Sequence, residues 1–159
     1  MKVGKPVWLK APFVMPATNT KLLLHPTDLT QVSESAFVVA VSLAKQHSAD
    51  LVIAYALPPP TPIFEVESPI RAEAESAVER LAEVAEGMGV SARRILIDST
   101  APVSNSIVRC AEEIHADMIV MGTNSKTGIT RWFAGSHAAR VIARAPCPVV
   151  VVREGATRR

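Results

Sequence analysis

The sequence predicts an α/β domain: a five-stranded parallel open sheet, doubly wound, with helices on both faces. Three observations carry this expectation. Apolar residues make up 48% of the 159, but aromatics only 4%, so the core is built from Val, Ile, Leu and Ala, as in a sheet sheltered on both sides. Short apolar runs alternate with amphipathic stretches of helical period, the order that yields parallel strands and right-handed crossovers. Finally, the apolar runs show little face alternation, which fits strands covered by helices on either side.

The elements follow in order. Residues 1–19, dotted with Pro6, Pro12 and Pro16, form an extension draped over the domain through Val7, Trp8 and Phe13. The domain spans 20–154, and 155–159 is a tail. Residues 21–25 form a first strand stopped by Pro26. Ser33 caps a helix whose apolar face is Phe37, Val38, Ala40, Val41 and Ala44. Residues 51–57 form a second strand ended by a proline triplet. After a long connection, Ser68 and Pro69 open a helix as cap and first residue. Its apolar side is Ile70, Ala74, Val78, Leu81, Val84 and Ala85, and Gly87 and Gly89 end it. Residues 94–98 are a third strand. Pro102 opens a helix showing Val103, Ile107, Ala111 and Ile114, with Thr100, Ser104 and Ser106 as capping residues. Residues 117–121 are a fourth strand. Ser136 caps a last helix showing Ala139, Ile142 and Ala143, and residues 148–152 complete the sheet.

Charge and cysteine usage narrow the function. With 17 basic and 15 acidic residues, the balance does not point to nucleic acid. No run reaches the ~18 apolar residues of a membrane span, and the proline-broken N-terminus does not read as a signal peptide. A cytoplasmic location is expected. Cys110 and Cys147 form no CxxC pair, and His25, His47, His115 and His137 show no metal-ligand spacing.

The most informative stretch is 121–136, which joins the end of an apolar strand, at Met121, to a helix start. Connections this long in compact domains are usually functional or disordered. In an open parallel sheet the carboxyl ends of strands are where ligands bind. Main-chain N–H groups in such a loop, and at the helix that follows, favour anions. Gly122 and Gly135 would let backbone approach phosphate closely or take a positive φ. Thr123, Ser136 and Lys126 add hydroxyls and a charge, and His137 stands in the first turn of the last helix. Trp132 and Phe133 read as anchors for the loop. Neither a P-loop nor a GxGxxG pattern is present, and no nucleophile–base pair stands out. Asp28 follows the first strand and either accepts from a ligand amino group or caps the turn into the first helix. First and fourth strands should be neighbours where the strand order reverses, so Asp28 and the 122–136 loop would share one crevice.

These residues resemble the universal stress protein family. The likeness runs from about residue 21 to 153, through Leu24-His-Pro-Thr-Asp28, Ala116-Asp-Met-Ile-Val-Met-Gly-Thr123, Ala134-Gly-Ser136 and Ala145-Pro-Cys-Pro-Val-Val-Val-Val-Arg153. It implies a domain of the adenine-nucleotide-hydrolase-like type, usually a homodimer, whose nucleotide-binding branch holds ATP with Mg²⁺ on the phosphates. Carried over by resemblance, Asp28 contacts adenine with Pro26 and Thr27 beside it, and Ala56 meets the base. Gly122, position 125, Gly135 and Ser136 carry the phosphates. Position 125 is Ser125 where that branch has glycine. If the site needs a left-handed residue there, serine costs about 1–2 kcal/mol, or roughly tenfold in affinity.

The leading expectation is therefore an ATP-binding regulatory module that acts through ligand-dependent conformation or dimerisation, read by an unidentified downstream protein. The alternative is a dimeric interaction module without nucleotide, pairing through the apolar edge Val149, Val150, Val151 and Val152. An ATP-consuming enzyme is the third reading. It would want a catalytic constellation after the first strand, where the chain has Pro26-Thr-Asp-Leu-Thr30.

Overall fold

The computed structural model describes residues 20–57, 69–99, 102–123 and 137–153. Among these described residues nine elements alternate as expected: β1 (Leu22–Thr27), α1 (Gln31–His47), β2 (Asp50–Leu57), α2 (Pro69–Gly87), β3 (Ala92–Asp98), α3 (Val103–Glu113), β4 (Met118–Thr123), α4 (His137–Arg144) and β5 (Val149–Arg153). The strands form one parallel sheet in the order β3-β2-β1-β4-β5. β1 and β4 are thus neighbours at the point where the order reverses, which is where such sheets open a crevice.

Each face carries its own core. Leu23, Leu51, Ile53 and Val120 pack with Phe37, Ala40 and Val41 of α1 and Val78 and Ala85 of α2. On the other face Leu24, Val52, Ile119 and Met121 pack with Ile107 and Ala111 of α3 and Ala138 and Val141 of α4. Successive residues of β1 alternate between these clusters, so a near-continuous apolar strand is the natural solution.

Several local expectations are corrected. β1 does not stop at Pro26 but runs to Thr27. A proline inside a central strand normally loses a ladder bond. Here the Leu22 carbonyl accepts from the Asp117 N–H at 2.9 Å, so strand alternation turns Leu24 and Pro26 toward β4 as well. Pairing of β1 with β4 ends at Leu24, and the missing Pro26 donor falls where the ladder has already parted.

The cap of α1 is Thr30, not Ser33. Its side chain accepts from the Ser33 N–H at 3.5 Å, while the Ser33 hydroxyl turns back to the Thr30 carbonyl at 2.8 Å. Ser104 and Ser106 lie buried within α3 rather than capping it, and Ser99 donates to Ser106 at 3.3 Å. In α1 Val38 is exposed, and in α2 Ile70 and Val84 are. α4 buries Ala138 and Val141 while Ile142 faces out. Over two turns of an alanine-rich helix, two neighbouring stripes satisfy the same period.

Asp117 anchors the start of the β1–β4 seam, its carboxylate accepting from the N–H groups of Lys21 (2.8 Å) and Leu22 (3.0 Å). Among the described residues no helix is long and apolar enough to cross a membrane.

Candidate functional site

A cavity of about 250 Å³ opens at the carboxyl ends of the strands on the α3/α4 side of the β1–β4 seam. β1 and the turn after it contribute Pro26, Thr27, Asp28 and Thr30. α1 adds Val32 and Ser33, and β2 adds Ala56. β4 supplies Met121, Gly122 and Thr123, and α4 supplies His137 and Ala138. α3 closes one wall with Val103 and Ile107. The walls are mostly apolar, with polar groups from Thr27, Asp28, Thr30, Ser33, Thr123 and His137 among them, the usual composition of a small-molecule site.

Eight of the twelve residues singled out in the sequence meet here: Pro26, Thr27, Asp28, Ala56, Met121, Gly122, Thr123 and His137. Ser125, Lys126, Gly135 and Ser136 lie outside the described residues. Sequence reasoning missed Val103 and Ile107, whose three-to-four spacing on α3 reads equally well as plain core. It also missed Thr30, Val32, Ser33 and Ala138.

The Asp28 turn is tightly built. Asp28 Oδ1 accepts from the Thr30 N–H (3.1 Å) and the Thr30 hydroxyl (2.6 Å), and Thr27 Oγ1 accepts from the Leu29 N–H (3.1 Å). Thr27 donates in turn to the buried Ser33 hydroxyl at 3.1 Å. These bonds hold Leu29 at φ 61°, a left-handed conformation costly for a branched residue. Partial burial pushes the Asp28 carboxyl up, but hydrogen bonds from Thr30 and Ser33 outweigh this and bring its pKa below the ordinary value. The group is thus an ionised acceptor on the cavity rim. It shapes the turn ahead of α1, whose cap is Thr30, and it lines the cavity.

Gly122 has a different reason for being glycine than the one its sequence context suggests. Its φ is not positive, and a Cβ built there would stand 2.9 Å from both Val32 Cγ1 and the Val32 carbonyl oxygen. The missing side chain makes room for the first turn of α1.

His25 lies directly beneath the site, fully buried, on the face covered by α1. Its ring sits 5.8 Å from that of Phe37, and Nδ1 lies 2.8 Å from the Val120 carbonyl. A carbonyl only accepts, so Nδ1 carries the proton. Nε2 is buried without a hydrogen-bond partner among the described residues. Burial lowers the pKa from 6.5 to about 4, against the opposing pull of the Val120 bond and the Asp28 charge. No group of three His, Cys, Asp or Glu side chains among the described residues is placed to hold a metal.

Residues 19–153 match the family model described as the universal stress protein family. The chain belongs to the universal stress protein family. It is 34% identical over 142 residues to the universal stress protein MJ0531 of Methanocaldococcus jannaschii, covering 84% of this chain and 82% of that protein. Among solved structures, a universal stress protein in complex with cAMP superposes with a TM-score of 0.65 at 25% identity, covering 83% of this chain and 96% of that one. The universal stress protein of Archaeoglobus fulgidus in complex with dAMP gives 0.65 at 21% identity, over 84% and 97% of the two chains. At that identity the likeness speaks to the fold alone.

Proposed function

We propose that this protein is a cytoplasmic regulatory module of the stress response that binds an adenine nucleotide, ATP with Mg²⁺, in the cavity at the β1–β4 switch point. The observation that carries this reading is the apolar slot between Ala56, Val103 and Ile107 with the Asp28 carboxylate on its rim. A flat base would fill the slot, and a carboxylate accepts from an exocyclic amino group. The relative solved in complex with cAMP, 25% identical, supports the same ligand class. About 250 Å³ falls just below the range of about 300–1,000 Å³ for small-molecule sites, so the base and sugar would occupy the described walls. The phosphates would fall to 124–136, with Ser125, Lys126, Gly135 and Ser136, beside Gly122, Thr123 and His137. The Thr30 hydroxyl and the Asp28 carboxylate are bound to each other in the turn, and the reading is binding rather than turnover. Ligand binding would change the loop or a homodimer joined through β5, and a downstream protein would read that state.

Calorimetric titration with Mg-ATP tests the reading. Micromolar binding is expected. Asp28→Asn should weaken it about tenfold or more, because losing a hydrogen bond to a charged group costs about 1.5–3 kcal/mol. Asparagine keeps one oxygen for Thr30 and turns the other into a donor, so the turn survives while amino-group recognition fails. Absence of heat at millimolar nucleotide would sink the proposal.

A second reading is favoured by Ser125 in place of the nucleotide-binding branch's glycine and by half-buried Val149, Val150 and Val151 on the edge strand. It is a dimeric interaction module without nucleotide. Protein freshly purified and denatured should release adenine nucleotide under the first reading and none under the second.

A further inference from the structure

We infer that His25 is a positioning residue for the cavity, supplying the hydrogen bond that Pro26 cannot make and so holding the end of β4 against β1. Leu23 pairs with Met118 and Leu24 with Ile119, so the next pair is His25 with Val120. In a parallel ladder, the residue facing such a pair accepts from the main-chain N–H one position further along the partner strand. The Val120 carbonyl would therefore take its bond from the N–H of residue 26. That residue is proline and has no N–H.

The imidazole stands in that place. Its Nδ1–H reaches the Val120 oxygen at 2.8 Å from within the α1-side core. A buried carbonyl left without a donor is costly, and the side chain removes that cost at the first position where the sheet has parted. The opposite ring nitrogen finds no partner among the described residues.

What the bond holds is functional ground. Val120 leads directly into Met121, Gly122 and Thr123, which form the β4 wall of the cavity, and Pro26 forms the facing wall. Proline keeps the seam from zipping shut by main-chain bonds, and His25 keeps it from opening further. The pair sets the width of the crevice at the base of the site. The consequence for ligand affinity rests on the nucleotide reading above; the bond across the seam does not.

A double-mutant cycle separates this role from general core packing. His25→Phe keeps an aromatic ring against Phe37 and removes the donor, whereas His25→Asn keeps an N–H near the position of Nδ1. Pro26→Ala returns the main-chain donor. Hydrogen exchange of residues 118–123, read by mass spectrometry, should quicken about tenfold in His25→Phe and stay within about threefold of wild type in His25→Asn. In the Pro26→Ala background, His25→Phe should change exchange by less than about threefold. If His25→Phe alone does not fold, Pro26→Ala should restore its folding, and failure of the double variant to fold overturns the inference. Equal loosening with and without Pro26, or no loosening at all, also overturns it.

Mg-ATP affinity should follow the same pattern, each comparison made within one residue-26 background. Loosened exchange with unchanged affinity would remove the cavity role. Exchange that follows the pattern in a wild-type protein that binds no nucleotide would uphold the bond across the seam and defeat the nucleotide reading.

Discussion

Between pH 7 and pH 5 the folded domain is expected to lose about 2 kcal/mol of stability through one side chain, His25. Its pKa falls from 6.5 to about 4 because the ring is buried, which outweighs the raising effect of the Val120 bond and the Asp28 charge. The sign follows from proton counting. Below pH 6.5 the unfolded chain takes up a proton on this histidine, and the folded chain does not until about pH 4. The unfolded state therefore binds more protons across that window, and stability falls as pH falls. The contribution is fully present above pH 6.5, and its loss approaches about 3 kcal/mol as pH falls through 4, at about 1.4 kcal/mol for each pKa unit. Asp28 acts further down, since its lowered pKa withdraws stability only below its ordinary 3.8. Thermal melts at pH 7 and pH 5 should differ by about 4–8 °C from this source, taking 2–4 °C per kcal/mol for a domain of this size. His25→Asn keeps a donor for Val120 without a titrating ring, so its melting temperature should be flatter over the same window. An equally steep decline in that variant would show that the acid sensitivity arises elsewhere.

The same residue marks where sequence reading stops. Strand order, parallel pairing and the switch point between β1 and β4 were legible because apolar runs and helical periods repeat over many residues, so single errors average out. Convergence of Asp28 and Gly122 on one crevice was legible for a related reason: strand ends of a doubly wound sheet share an edge, whereas Ala56 came only with the family resemblance. Features resting on one atom were not. Pro26 reads as a strand stop because its missing N–H is visible in sequence, whereas the direction in which that N–H would point is not. His25 then looks like any scattered histidine, although it answers the proline beside it. The exposed Val38, Ile70 and Val84 and the shifted face of α4 follow from a similar limit. A period fixes that a helix has an apolar side but leaves about one residue of freedom in which side it is, and the packing partner decides. Val103 and Ile107 were assigned to the core because a cavity wall and a core use the same side chains.

Gly122→Ala is expected to destabilise the protein by about 1–3 kcal/mol, the usual range for overpacking a tight site, and to lower the melting temperature by roughly 2–12 °C. The new methyl would meet Val32 Cγ1 and the Val32 carbonyl oxygen, both at 2.9 Å. A side-chain clash can be relieved by a rotamer change, but the second contact is with helix backbone. Gly122 is fixed on the other side by its pairing with Val152, so the first turn of α1 must retreat. That distinction yields a stricter expectation: Val32→Ala removes Cγ1 and leaves the carbonyl in place, so Val32→Ala should rescue Gly122→Ala only partly, if at all. Retreat of the turn also carries Thr30, and with it the hydrogen bonds that orient Asp28. Nucleotide affinity should therefore drop in Gly122→Ala even though the added methyl points at α1. If the glycine served only close approach to phosphate, the outcome would be the reverse: weakened binding with an unchanged melting temperature. Measuring both in one variant decides between a glycine that seats a helix and a glycine that seats a ligand.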